Sequence, residues 1–164
     1  MNLKQTKKHR ITDSATLIVE LNSLLAEEFQ AWYQYYIVAP FLHGCDRESV
    51  QEFFQEAADD ELNDHASKLL NRLNELNQDC TVIPTPDSWK LAATSKFGVA
   101  PMDVMSQLSL NVKAEQEAIE HYQKVIVLAE QLQDHTTYDM LKEILADEEQ
   151  HLSELNDFLK DRSN

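Results

Sequence analysis

Glu28, Glu61, Glu115 and Glu148, with His65 and His151, occupy positions where helical apolar stripes should continue. Glu is almost never fully buried unless it is paired. An uncompensated carboxylate in a core costs several kcal/mol, which is comparable with the stability of a whole domain. No Lys or Arg lies on the same stripes to neutralise four of them. A metal is the counter-charge that fits. Four carboxylates and two neutral imidazoles become neutral overall with two divalent ions, and oxygen-rich coordination with imidazole suits Fe, Mn or Zn. A Glu from each of two helices, with Glu and His at helical spacing on the other two, is the di-iron carboxylate pattern. One Glu on such a stripe is usually a solvated edge residue; four with two His are not.

Spacing places the six residues together. Glu28 and Glu61 stand 33 positions apart, and so do Glu115 and Glu148. The midpoints fall at Gly44–Cys45 and at Gln131–Leu132, where turns are expected, so each pair is equidistant from its turn and faces itself across a hairpin. Glu28-x6-Tyr35 recurs as Glu115-x6-Tyr122, and a residue seven later is two turns along the same face. Tyr35 and Tyr122 are expected to be core tyrosines whose hydroxyls bond the site carboxylates from behind.

The elements that must hold these residues are long helices. With 2 Gly and 4 Pro in 164 residues, a β-sandwich or a glycine-rich nucleotide-binding fold is disfavoured. The breakers cluster at Pro40–Gly44 and at Pro84, Pro86, Gly98 and Pro101. The first helix is expected from the Thr12-Asp13-Ser14 cap to about Ala39, with Leu17, Leu21, Leu24, Glu28, Ala31, Tyr35 and Val38 on one face. The second runs from about Asp46 to Asn77 with the stripe Phe54, Ala58, Glu61, His65, Leu69, Leu73, Leu76. The third carries Met105, Leu108, Val112, Glu115, Ile119, Tyr122, Ile126, Ala129. The fourth starts near Asp134 and carries Thr137, Leu141, Ile144, Glu148, His151, Leu155, Phe158. This is an all-α four-helix bundle. A helix of ~28 residues spans roughly 42 Å, and ~20 extended residues reach roughly 65 Å. Residues 79–100 therefore read as a crossover that makes helices two and three parallel; a simple up-down-up-down bundle with a long loop is the alternative.

Charge and cysteine content narrow the partners. Net charge is −15, from 14 basic and 29 acidic residues. Such a surface repels nucleic acid and anionic membrane and favours cations. Cys45 and Cys80 make neither a disulfide framework nor a four-cysteine zinc site. They sit near opposite ends of helix two, roughly 50 Å apart by helical rise, so a thiol pair beside the metals is not expected. No apolar run approaches the ~20 residues of a membrane span, and no secretory leader is seen. A cytoplasmic protein is expected.

The segment Glu143-Ile-Leu-Ala-Asp-Glu-Glu-Gln-His151 resembles the fourth helix of bacterioferritins, and residues 12–161 as a whole resemble the ferritin-like superfamily. The resemblance implies Glu28 and Glu115 as terminal carboxylates, Glu148 as a bridge and His151 on one metal. Helix two departs from the family's Glu-x-x-His: Glu61 is followed by Asp64 at three and His65 at four. A shared face at i,i+4 or a local bulge brings His65 in; Asp64 is the reserve. Helix two also lacks the Met that binds haem in bacterioferritins, so no haem is expected. The chain ends 13 residues after His151, so no fifth helix is expected. That points to the mini-ferritin (Dps-like) group, with 12 subunits favoured over 24, although the usual intersubunit His/Asp motif of that group is missing.

The implied function is a ferroxidase with iron storage: two Fe per subunit, oxidised by O2 or H2O2, with ferric mineral kept inside a homo-oligomeric shell. A non-storing di-iron peroxidase of the rubrerythrin type is the alternative, weakened by the missing Cys-x-x-Cys iron domain. A DNA-protecting shell is the other. Its support is the basic stretch Lys4, Lys7, Lys8, Arg10 in residues 1–11, read as a flexible tail ahead of a single domain over 12–164; the acidic body opposes it. His9, His43, His121 and His135 are expected on the surface. Glu27, Glu117, Glu120 and Glu149 are expected on a solvated face, with shell-lining or iron entry as their functional reading. Trp89 is expected to pack the crossover.

Overall fold

A computed structural model describes residues 3–76 and 102–162, with side chains from residue 15 onward. Helix α1 spans Leu3–Val38. It therefore begins well before the expected cap at Thr12–Ser14. No Gly or Pro interrupts this stretch, and Leu, Lys and Gln are strong helix formers, so propensity carries the helix through the capping residues.

A short 3₁₀ turn, Ala39–Phe41, takes Pro40 at its start. Gly44, at φ +121°, adopts a conformation that a side chain would strain. The second bundle helix then comes in three pieces. Helix α2 covers Arg47–Asp59, a π-helical turn covers Asp60–His65 and helix α3 covers Ala66–Glu75. Helices α4, Val104–Leu132, and α5, His135–Asp161, form the second hairpin. Gln133 closes α4 in the left-handed region (φ 59°), a role usually given to Gly. Asp134 caps α5, accepting from the Thr137 amide at 3.1 Å. Its carboxylate also takes both bonds of one Arg72 nitrogen, at 2.7 and 2.9 Å, which ties α3 to the start of α5.

The ends of the helices fix the topology. The His43 amide donates to Met102 at 3.0 Å, and Val104 donates back to His43 at 3.1 Å. Helix α4 thus starts beside the turn joining α1 to α2, so α2–α3 and α4 run parallel. The architecture is a four-helix bundle crossed over between its second and third helices. Residues 77–101, with Cys80 and Trp89, lie outside the described residues. Among those described there is no fifth bundle helix, and no helix is long and apolar enough to cross a membrane.

The apolar core is split. One cluster packs Leu21, Leu24, Leu69, Tyr122, Leu141 and Ile144; the other packs Tyr35, Phe54, Ala58, Leu108 and Leu155. A polar layer separates them. The register expected for α4 needs one correction. Met105 is 41% exposed, and Val104 takes the buried place at 3%. Gln107 and Asn111 are buried on the same face. The hydrophobic stripe alone does not reveal them.

Candidate metal centre

The polar layer is built from all four bundle helices. Glu28 comes from α1, Glu61 and His65 from the π turn, Glu115 from α4, and Glu148 and His151 from α5. All six are buried, none more than 5% exposed. The π turn explains the odd spacing in helix two. The Ala66 amide reaches back five residues to the Glu61 carbonyl, so one extra residue is absorbed and His65 turns inward with Glu61. Asp64 turns outward and bonds Lys68 at 2.6 Å.

The six residues divide into two quartets with two members in common. Glu28, Glu61, His65 and Glu148 form one, and Glu61, Glu115, Glu148 and His151 form the other; within each, the ligand atoms lie within 4.8 Å of one another. In the first, His65 Nδ1 faces Glu61 Oε2 at 3.0 Å, Glu28 Oε2 at 3.3 Å and Glu148 Oε1 at 3.3 Å. In the second, His151 Nδ1 faces Glu61 Oε1 at 3.5 Å and Glu148 Oε2 at 3.6 Å. Glu61 and Glu148 each give one oxygen to each quartet. Two ions held there would share Glu61 and Glu148, while Glu28 and Glu115 would each serve one.

The tyrosines are exchanged between hairpins. Tyr35 of α1 donates to Glu115 of α4, and Tyr122 of α4 donates to Glu28 of α1. Each fixes one carboxylate oxygen and leaves the other to the centre. Two aspartates complete the arrangement. His65 Nε2 faces Asp147 at 3.5 Å, and His151 Nε2 faces Asp60 at 3.4 Å. His151 is thus oriented by the aspartate that precedes Glu61, whereas Asp147, which precedes Glu148, stands at ion-pair distance from a His65 Nε2 that makes no hydrogen bond. A carboxylate behind a ligating imidazole sets its tautomer and raises its basicity, and losing such a partner typically weakens metal binding 10–100-fold. Asp60→Asn is therefore expected to weaken Mn(II) binding by roughly ten- to a hundredfold, read by calorimetric titration, and by more than Asp147→Asn, whose partner His65 Nε2 makes no hydrogen bond. Unchanged affinity in Asp60→Asn would refute the orienting role.

The electrostatics describe a centre short of positive charge. Burial, then Glu148 and Glu61, push the Glu28 carboxyl well above its usual range. Glu115 is raised well by the same three influences. Burial also presses on Glu61, but its bonds to His151 and His65 prevail and hold it below the carboxylate range. Burial disfavours the imidazolium forms, yet the surrounding glutamates outweigh it: His151 is pushed up to about 11, and His65 rises further. These directions favour protons as the counter-ions of a centre without metal. Glu28 Oε2, Glu61 Oε1, Glu148 Oε2 and His151 Nδ1 are buried without a hydrogen-bond partner. A buried polar atom left this way costs about 1–3 kcal/mol, and a pair of divalent cations, displacing the histidine protons, would satisfy all four. The residues fit such ions in number, charge and donor type.

Other expected positions fall away from the centre. His43 and His135 are exposed, and so is Cys45; the side chain of His9 lies outside the described residues. His121 corrects the expectation of a surface histidine: it is half-buried between Glu27, 2.8 Å from Nδ1, and Glu20, 2.9 Å from Nε2. Sequence reasoning missed Asp60, Asp147 and the buried Gln34–Asn111 amide pair. The repeated Asp-Glu of Asp60-Glu61 and Asp147-Glu148 was the available signal for the first two.

The ferritin-like domain family matches residues 18–163. A dodecameric thioferritin, the bacterioferritin-related protein from Bacteroides fragilis, shares 34% identity over 98% of this chain and 95% of its own, with a TM-score of 0.84. A ferritin-like, diiron-carboxylate protein from Bacillus anthracis str. Ames shares 29% identity over 90% of this chain and 97% of its own, with a TM-score of 0.76. Dps from Thermosynechococcus elongatus, at 16% identity, a TM-score of 0.82 and coverage of 92% and 94%, shares the fold.

Proposed function

Since the chain belongs to the ferritin-like family, we propose that it is a ferroxidase that takes up Fe(II) as a pair, oxidises it with O2 or H2O2, and stores the ferric product inside a shell of identical subunits in the cytoplasm. The observation that carries the reading is the sharing of Glu61 and Glu148, one oxygen each, between two quartets that each include one histidine. Fe(II) is the substrate, and Mn or Zn would fit the same donors. Two Fe(II) release two electrons, the number needed to take O2 to H2O2 or H2O2 to two hydroxides.

The protein's own part is binding, orientation and proton handling. Glu28 and Glu115 are held from behind by Tyr122 and Tyr35, so their outer oxygens stay aimed at the incoming ions. His65 and His151 give up protons as the ions arrive, which keeps the buried charge near neutral. The dodecameric Bacteroides fragilis relative supports the same assembly for this chain. The −15 charge suits a cation-collecting shell.

Aerobic Fe(II) loading followed by gel filtration tests the reading. Tens of irons per chain on a large particle are expected, because one bundle site holds only about two. A plateau near two would keep the metal pair, remove storage and leave a di-iron redox enzyme.

A further inference from the structure

Across the seam between α1 and α4, two contacts run side by side. Tyr122 donates to Glu28, and one residue earlier on each helix His121 meets Glu27. His121 Nδ1 lies 2.8 Å from Glu27 Oε2, and its Nε2 lies 2.9 Å from Glu20 Oε2, two turns back on the same face of α1. An ionised carboxylate only accepts, so a ring that bonds one at each nitrogen carries a proton on both. The bond to Glu27 holds this imidazolium above the usual histidine range, and Glu20 adds to it against the cost of burial. The histidine side chain is 16% exposed, whereas Glu20 and Glu27 are 37% and 44% exposed. A ring that lost one proton would turn a lone pair to one carboxylate, which can swing to water while the ring stays. Among the described residues, α2, α3 and α5 present no charged group within ion-pair distance of it. On α4 itself, Glu117 and Lys124 stand one turn to either side. The seam repeats with one difference. Gln34 follows Glu28 by six residues, as His121 follows Glu115. Beside the Tyr35–Glu115 bond the seam is closed by the Gln34 amide on Asn111 Oδ1, which is neutral at any pH. Beside the Tyr122–Glu28 bond it is closed by an ion.

We propose that His121, Glu20 and Glu27 form a proton-dependent latch between α1 and α4 that positions Glu28 through Tyr122, so that the Glu28 half of the centre answers to pH at this seam and the Glu115 half does not. The latch itself needs no metal; its effect on Glu28 rests on the metal-pair reading. His121 is a positioning residue, since it acts only through the residues beside it. A histidine that holds its proton more tightly when folded keeps the latch closed below about pH 6.5 and opens it as pH rises through the raised value. Opening frees the turn of α1 that carries Glu28 and the turn of α4 that carries Tyr122.

The test uses the full chain, with Mn(II) as the probe of the centre. Magic-angle-spinning NMR of protein labelled with 15N-histidine, assigned by its difference from His121→Gln, should show both His121 nitrogens protonated at pH 7 and a titration midpoint above 6.5. Glu20→Gln, at a partly exposed position, should bring that midpoint down. Mn(II) affinities of the wild type and of His121→Gln are then compared by calorimetry between pH 6 and pH 9, with circular dichroism to check that the variant is folded. Gln supplies one donor and one acceptor at every pH, as Gln34 does. The protons of His65 and His151 weigh equally on both proteins and cancel in the ratio. The wild type is expected to bind roughly tenfold tighter at pH 6, the low end of what a lost orienting partner costs, and the ratio should fall towards one as the pH climbs to 9. A singly protonated His121 at pH 7, or a midpoint unmoved in Glu20→Gln, would overturn the latch. A ratio that stays constant with pH would reduce His121 to packing and overturn its coupling to Glu28. If neither protein binds Mn(II), the metal-pair reading falls, and the NMR titration still decides the latch.

Discussion

Alanine at Glu148 or at Glu61 is expected to lower aerobic Fe(II) oxidation by at least about a hundredfold, and by more than alanine at Glu28 or Glu115. A lost orienting partner alone weakens metal binding 10–100-fold, and a shared ligand serves two ions rather than one. Glu148 faces His65 with Oε1 and His151 with Oε2, and Glu61 does the same with its two oxygens in the reverse order. Removing either strips one oxygen from both quartets. Glu28 and Glu115 belong to one quartet each, so their loss leaves the other half intact. Glu148→Gln keeps the volume and one acceptor while removing the charge, and guards against a packing artefact. The measurement is the initial oxidation rate at fixed chain concentration, with helicity checked by circular dichroism. Equal effects at shared and unshared positions would contradict the bridging geometry, and four near-neutral variants would contradict the centre.

The residues most legible in the sequence were those that broke a pattern. Glu28, Glu61, Glu115 and Glu148 stand out because a 3.6-residue stripe makes burial predictable and a buried carboxylate demands a partner. Equal spacing from two turns then placed them at one height, where the structure has them. His65 was harder: its spacing from Glu61 fits no plain α-helical repeat of the Glu148–His151 pair, and only the π turn reconciles the two. Nothing in Asp60-Glu61-Leu62-Asn63-Asp64-His65 signals a π turn by propensity. Asp60 and Asp147 were hidden for another reason. Both are about half exposed, so they look like any acidic surface residue until the histidine behind them is located. Gln34 and Asn111 were invisible because amides on a helix face carry no apolar periodicity and no charge. The N-terminal error has a simple source: a Thr-Asp-Ser run is cap chemistry, but a cap starts a helix only where the preceding residues do not continue it.

Stripped of metal, the protein is expected to lose stability as pH rises from about 5.5 to 8.5. His65 and His151 hold protons more tightly folded than unfolded, where a histidine titrates near 6.5. Their contribution is therefore complete below pH 6.5 and is lost as the pH climbs, for His151 through about 11. Glu28 and Glu115 act in the same direction. Their folded carboxyls keep protons well above the usual 4.5, so each further step in pH favours the unfolded chain. Glu61 opposes them, but its contribution is present above 4.5 and is lost only as pH falls further, outside this window. Each group that holds a proton only when folded shifts stability by up to about 1.4 kcal/mol per pH unit, so the sum is on the order of several kcal/mol. Divalent ions reverse the trend. They displace the same protons, so their affinity rises with pH and the loaded protein gains where the empty one loses. Melting temperatures of chelator-treated and Mn(II)-loaded protein at pH 5.5, 7 and 8.5 should therefore diverge. A chelator-treated protein that grows more stable over that range would mean that protons are not the counter-ions of the empty centre, and the account of its electrostatics would fail with it.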